Sequence, residues 1–234
     1  MTTIERPAQS RGRIDKRTAI LSAAVKVFSQ EGYAQASIDA IASVAGVAKP
    51  TVYNHFQDKE TLFRTVMRDS ADRTAARIIA AFATLPDDGA DLEGELTRVA
   101  HLMVECQLSE AGWALQRLLY AEAARLPDLY DEVVARGGTP ALNVLAGRLA
   151  SLANRGHLDI DDPVVAANQF MALVAGNLPA LSALGTRPVS PGELDQSVRA
   201  GVRTFLRAFA AQARRRPARQ RGTRQGATRQ GAGA

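Results

Sequence analysis

Apolar positions follow a helical period along nearly the whole chain, and no run alternates as a strand would. Ile20, Leu21, Ala24, Val25 and Phe28 form one stripe, which predicts a first helix over Ile14 to Gln30, ended by Gly32. Ser37 is a suitable N-cap for a short second helix, in which Ile38, Ile41, Ala42 and Ala45 share a face before Gly46 breaks the pattern. A third short helix runs from Lys49 to Phe56 with Pro50 in its first turn, where a missing N–H costs nothing. Asp58 caps a long fourth helix to Thr84, and Pro86 to Ala90 reads as a turn. Further helices are predicted through Leu92, Leu96, Val99, Met103 and Cys106, then from Trp113 to Arg125. Pro127 starts a short helix that stops near Gly137-Gly138; Thr139-Pro140 open the next, to Gly156. Asp162-Pro163 cap an uncharged helix to Gly185, and the last helix runs from Glu193 to Ala213. The fold class predicted is all-α.

Charge divides the chain more sharply than hydropathy does. Residues 1–65 hold 9 basic and 6 acidic side chains, residues 66–213 hold 13 and 18, and residues 214–234 hold seven arginines and no acid. The net charge of +5 therefore comes mainly from the tail, and basic ends around an acidic middle suggest a polyanionic partner at the ends. Residues 1–13 read as a flexible basic arm. The tail repeats Arg-Gln-Gly with no large apolar residue and reads as disordered. Two readings of it stay open: a solvated extension, or an arm that holds phosphate without base stacking.

The single cysteine, Cys106, permits no internal disulfide and suits a reducing cytoplasm. His55, His101 and His157 lack metal-ligand spacing, so no metal and no cofactor are predicted. His101 lies opposite its helix's apolar stripe and is expected to face solvent. The uncharged stretch from Pro163 to Thr186 is long enough to span a bilayer, but Asn168, Gln169, Asn177 and Pro179 argue for a helix buried in protein, not a membrane segment.

Residues 37–56 place two short amphipathic helices about the Gly46 turn, the outline of a helix-turn-helix whose second helix enters a major groove. On that helix Val52 and Phe56 point inward, so Pro50 and Asn54 point outward, flanked by Tyr53 and His55. Asn54 can pair with an adenine edge and the Pro50 ring can touch a thymine methyl. Thr51, Tyr53 and His55 can donate to phosphates, and Lys49 and Lys59 add charge beside the backbone.

Residues 14–66 closely resemble the DNA-binding domain of the TetR family of transcriptional regulators. The resemblance rests on Ile20-Leu-x-Ala-Ala-x-x-x-Phe28, Gly32-Tyr33, Ser37-x-x-x-Ile41-Ala42, Ala45-Gly46-Val47, Thr51-x-Tyr53-x-His55-Phe56 and Lys59-Glu60-x-Leu62-Phe63. It implies a three-helix DNA-binding domain over 14–74, with DNA contacts from Ser37, Lys49, Pro50, Thr51, Tyr53, Asn54, His55 and Lys59. Residues 121–127, Arg136-Gly137, Arg155-Gly156, Asp162-Pro163 and Ala166-Ala167-x-Gln169-Phe170 look like the AefR-like class of TetR C-terminal domains. That implies a larger helical effector-binding and dimerisation domain over 75–213.

One reading helix covers few base pairs, so a homodimer on a palindromic operator is expected, with half-sites about 34–36 Å apart. The candidate interface is helices 163–185 and 193–213, where Ala172, Gly176, Ala180 and Ala183 leave room for close approach; packing within one chain is the alternative. The resemblance implies a small-molecule effector, and Met103, Cys106, Trp113, Tyr120, Phe170 and Met171 are candidate contacts, each of which also suits a plain core. No nucleophile motif, phosphate loop or acid pair supports an enzyme. The expected function is a dimeric repressor released from its operator by a ligand; the alternative is an architectural DNA binder driven by the tail.

Overall fold

The computed structural model describes residues 8–211; the tail 214–234 and residues 1–7 of the arm lie outside them. Among the described residues the chain forms α-helices and one isolated bridge, between Leu158 and Ala210. The helices are α1 (Ala8–Gln35), α2 (Ile38–Ala45), α3 (Lys49–Phe56), α4 (Lys59–Ala83), α5 (Leu92–Leu108), α6 (Glu110–Glu122), α7 (Pro127–Asn154), α8 (Pro163–Ala175), α9 (Leu178–Leu181) and α10 (Pro191–Phe209).

Helix starts follow their capping chemistry. Ser37, Asp58, Asp91, Ser109, Asp162 and Ser190 each accept from a backbone N–H of the first turn. Ser190 and Glu193 complete a reciprocal capping box. Gly46 ends α2 at φ 66°, the left-handed conformation that lets its N–H reach the carbonyls of Ala42 and Ser43 and turns the chain into α3.

Several sequence expectations need correction. The first helix begins at Ala8, so residues 8–13 are helical; it is kinked at Gly32 and resumes to Gln35. Residues 127–154 form one helix through Gly137, Gly138 and Pro140. The reason is tertiary: Leu129, Val133, Gly137, Ala141, Leu145 and Leu149 step every four residues down one face. At Gly137 that face lies close to α4: a Cβ there would make an ordinary contact with Ala71 Cβ, at 3.6 Å. The uncharged stretch is not one helix either: α8 stops at Ala175, α9 is a single turn, and Ala183 and Leu184 take positive φ. Ala172, Gly176, Ala180 and Ala183 therefore do not form one stripe. The segment Pro163–Leu181 is apolar enough to cross a membrane by composition, but it is broken in this way and packs against α7 and α10.

Two hydrophobic clusters organise the molecule. The first joins α1 to α3 with the front of α4 and includes Phe28, Ile41, Phe56, Leu62, Phe63 and Met67. Phe28 and Phe63 meet edge-on at 5.1 Å, and Tyr33 tilts against Phe63 at 4.7 Å. Leu118 of α6 and Leu126, Leu129 and Val133 at the start of α7 belong to the same cluster. The second joins Ile78 and Phe82 at the far end of α4 to α5, α7, α8 and α10. Helix α4 thus has one end in each core. It runs parallel to α7, and three pairs tie the two helices at a constant offset: Arg64–Asp128 at 2.7 Å, Arg68–Glu132 at 2.7 Å and Arg136–Asp72 at 2.7 Å.

Candidate nucleic-acid interface

Helix α3 is anchored by Val52 and Phe56, which are 1% and 3% exposed. The opposite side carries Lys49, Pro50, Tyr53 and Asn54, all exposed, while Thr51 and His55 are half-buried at its edges. The orientation derived from the helical period is the one observed. The α3 C-terminus is sharp: Gln57 takes φ 60° and Asp58 N–H donates to Phe56 O at 2.6 Å, reversing the chain into α4.

Polar geometry around α3 goes beyond what the period predicts. Lys49 Nζ donates to Asp39 Oδ2 at 2.8 Å across the α2–α3 turn, and this contact raises its pKa and holds the amine charged. Ser37 is occupied as the α2 cap, accepting from Ala40 N–H at 3.1 Å. Lys59 turns back from the groove side, donating to Ala34 O at 3.1 Å with its ammonium 4.7 Å from the Tyr33 ring. Asp58 accepts Thr61 N–H at 2.7 Å, which holds its carboxyl below the usual range. Sequence reasoning missed Asp39 as the partner of Lys49, and Arg17 of α1, whose guanidinium lies 5.5 Å over the Phe56 ring beside the reading helix. The basic face at Lys16-Arg17 is the signal that could have found the latter. It also missed Arg125, stacked 4.2 Å over Tyr33 from the α6–α7 connection, which ties the first core to the C-terminal helices.

The six candidate effector contacts do not converge. Met103 and Phe170 are fully enclosed in the second core, and Cys106 and Trp113 are 7% and 4% exposed. Gly185, at φ 80°, packs directly on the Trp113 ring, where a Cβ has no room. Tyr120 and Met171 do line one cleft, of about 290 Å3, bounded by α4, α6 and α7 and lined also by Thr74, Gln116, Tyr130 and Gly138. These last four carried no periodic signal, because the cleft is assembled from separate helices. His101 is not turned to solvent: its ring is 25% exposed and meets Asp195 of α10 at 3.1 Å.

Comparison with known proteins agrees with this architecture. Residues 20–66 match the pattern of bacterial regulatory proteins of the tetR family, and residues 94–211 match the C-terminal domain of AefR-like transcriptional repressors. The chain is 37% identical over 76 residues to the transcriptional activator FasR of Mycolicibacterium smegmatis, covering 32% of this chain and 35% of the relative. It is 41% identical over 71 residues to the transcriptional repressor ComR of Escherichia coli, covering 30% and 34%. These curated relatives are thus matched over about a third of their length. Likeness to solved structures extends further. A TetR-family regulator from Mesorhizobium loti superposes with TM-score 0.78 at 30% identity, covering 88% of this chain and all of that one. The flavonoid-responsive regulator FrrA superposes at 0.67 and 30% identity, covering 85% and 98%. These relatives are transcriptional regulators rather than enzymes. The helix-turn-helix about Gly46, the two-core helical architecture and these matches together place the chain in the TetR family of transcriptional regulators.

Proposed function

We propose that this protein is a homodimeric, sequence-specific repressor that binds a palindromic operator and is released by a small molecule. The observation that carries the proposal is α3 itself: a short helix pinned by Val52 and Phe56 that offers Asn54, Pro50, Tyr53 and Lys49 to a groove. Asn54 reads an adenine edge and Pro50 a thymine methyl; Ser37, Thr51, Tyr53, His55 and Lys59 hold phosphates. The DNA-binding unit is residues 14–74 and the effector and dimerisation unit is 75–213. The protein acts in the cytoplasm, where its operator is.

The dimer interface is assigned to α8 and α10. Val164, Val165 and Leu173 are 46%, 48% and 38% exposed on α8, with the exposed amides of Asn168 and Gln169 between them, a surface the single chain leaves uncovered. Gly201 lets α10 lie directly on the Leu173 carbonyl, so the two helices form a rigid pair for a second copy to meet. Repression is favoured over activation by the likeness of residues 94–211 to AefR-like repressors.

The effector site is assigned to the cleft between α4, α6 and α7. A neighbouring cavity lined by Val25, Ser29 and Thr74 shares Thr74 with it and reaches α1. A ligand wedged there acts on α4, which carries the reading unit at its other end, and so favours one spacing of the two reading helices. A shift of about 3 kcal/mol between spacings weakens operator binding more than 100-fold.

The test is selection of random duplex DNA by the purified protein at about 150 mM salt, which suppresses phosphate-only binding. A palindrome with half-sites about one turn apart supports the proposal. Recovery of no motif, with binding that vanishes as salt rises, overturns it in favour of non-specific binding.

A further inference from the structure

We infer that the effector is an uncharged, flat ring compound bearing hydroxyl or carbonyl groups. The inference rests on the reading of the α4–α6–α7 cleft as the effector site and adds the chemistry that the cleft accepts.

The first observation is the sorting of charge on the two long helices. Every residue lining the cleft is uncharged: its polar groups are the hydroxyls of Thr74, Tyr120 and Tyr130 and the amides of Gln107 and Gln116. The charge of the same helices is gathered in the Arg64–Asp128, Arg68–Glu132 and Arg136–Asp72 pairs, none of which lines the cleft. An ion entering the cleft sheds water and meets no countercharge, so charged ligands are penalised. A neutral ligand meets hydroxyl and amide groups that both donate and accept.

The second observation is shape. The Tyr120 and Tyr130 rings stand 6.5 Å apart at 29°, an almost parallel aromatic wall. Tyr120 is 51% exposed, and Gln116 Nε2 donates to its hydroxyl at 3.0 Å, which holds the ring at the mouth. Gly138, which also lines the cleft, has no side chain, and a Cβ there would have only Val134 Cγ1 near it, at 4.0 Å. Aromatic wall and bare backbone suit a flat molecule that stacks on one ring face. At about 290 Å3 the cleft lies at the small end of ligand sites. The adjoining cavity carries Arg73 and Arg77, so an anion has one place to go, and the test distinguishes it.

The experiment is calorimetric titration of the full chain at neutral pH with three probes: naphthol (neutral and flat), naphthoate (the same rings as an anion) and choline (a cation without rings). Naphthol is expected to bind saturably, and at least about tenfold more tightly than either ion. Gly138→Leu fills the cleft and is expected to abolish binding. Tyr120→Leu, at an exposed position, is expected to weaken it about tenfold through lost stacking. Thermal unfolding reports whether each variant is folded, and Tyr120→Leu carries the test if Gly138→Leu is not. Naphthoate or choline binding more tightly than naphthol overturns the assigned chemistry. If that binding is also lost in Gly138→Leu, the cleft remains the effector site. Naphthol binding that both substitutions leave unchanged overturns the cleft itself. No saturable naphthol binding overturns the inference.

Discussion

Asn54 shows how much a single residue's position decides. It is exposed because Val52 and Phe56, on the other side of two turns of helix, are buried. Its amide presents a donor and an acceptor together, the pair that an adenine edge needs. Asn54→Ala is expected to cost about 1–3 kcal/mol on the selected operator and to flatten the preference at one base pair per half-site, measured with single-base operator variants. Lys49 makes a different point. Its helical position was legible, but its partner Asp39 lies ten residues away on another helix, and only the α2–α3 turn brings them to 2.8 Å. Asp39→Asn releases Lys49 and removes a negative charge from the face proposed to meet phosphate. Operator affinity is expected to rise, and the slope of log affinity against log salt to steepen by about one, read from binding at several salt concentrations. Lys59, proposed to hold a phosphate on DNA, holds Ala34 O and Tyr33 in the free protein, because a long side chain goes to whichever acceptor the fold supplies.

At the scale of elements, the α4–α7 pair links the two cores. Arg64 sits between Glu60 and Asp128 at 19% exposure, and this arrangement holds the guanidinium firmly protonated. The Arg64 hydrogen bond in turn lowers the Asp128 pKa, and Arg199 likewise lowers Asp195 on α10. A carboxylate with a lowered folded pKa binds fewer protons in the folded chain than in the unfolded one. Its contribution is therefore present above the ordinary carboxylate pKa and is lost as pH falls through the folded value. The melting temperature is expected to be level near neutrality and to fall steeply below about pH 4. Asp128→Asn should lower it at neutral pH and make the acid limb shallower, as followed by thermal unfolding across pH. His101 and Asp195 explain a miss of the same kind: the wheel of α5 places His101 away from its own stripe, yet α10 covers that side. A helical wheel reports one helix, and burial is decided by its neighbours.

At the scale of the whole molecule, the proposed dimer rests on the uncovered surface of α8 and on the two-fold symmetry of the proposed palindromic operator. Leu173→Glu places a charge on that face and is expected to give a monomer by light scattering. Operator affinity should fall by more than about 100-fold, since each half-site then binds without the other. A Leu173→Glu chain that stays dimeric, or that keeps full operator affinity, assigns the interface elsewhere.

The caps at Ser37, Asp58 and Asp162, the starts of α2, α3, α4, α7 and α8, and the outward face of α3 were determined by the sequence alone. Each depends on interactions within a few residues: a Ser or Asp side chain on its own first turn, a glycine in the left-handed region, an apolar stripe repeating every three or four residues. The helix-turn-helix, and with it the family, is therefore written locally. Only the tertiary structure decided the rest. Gly137-Gly138 and Pro140 predict a break, but packing along α4 outweighs local propensity and carries α7 through. The uncharged stretch predicts one long helix, but the chain turns after α8 and places Gly185 on Trp113. The cleft that Tyr120 and Met171 both line, and that leaves Met103, Cys106 and Phe170 in the core, is a space between helices. No stretch of sequence encodes such a space, because its walls come from residues far apart in the chain that meet only after the helices pack.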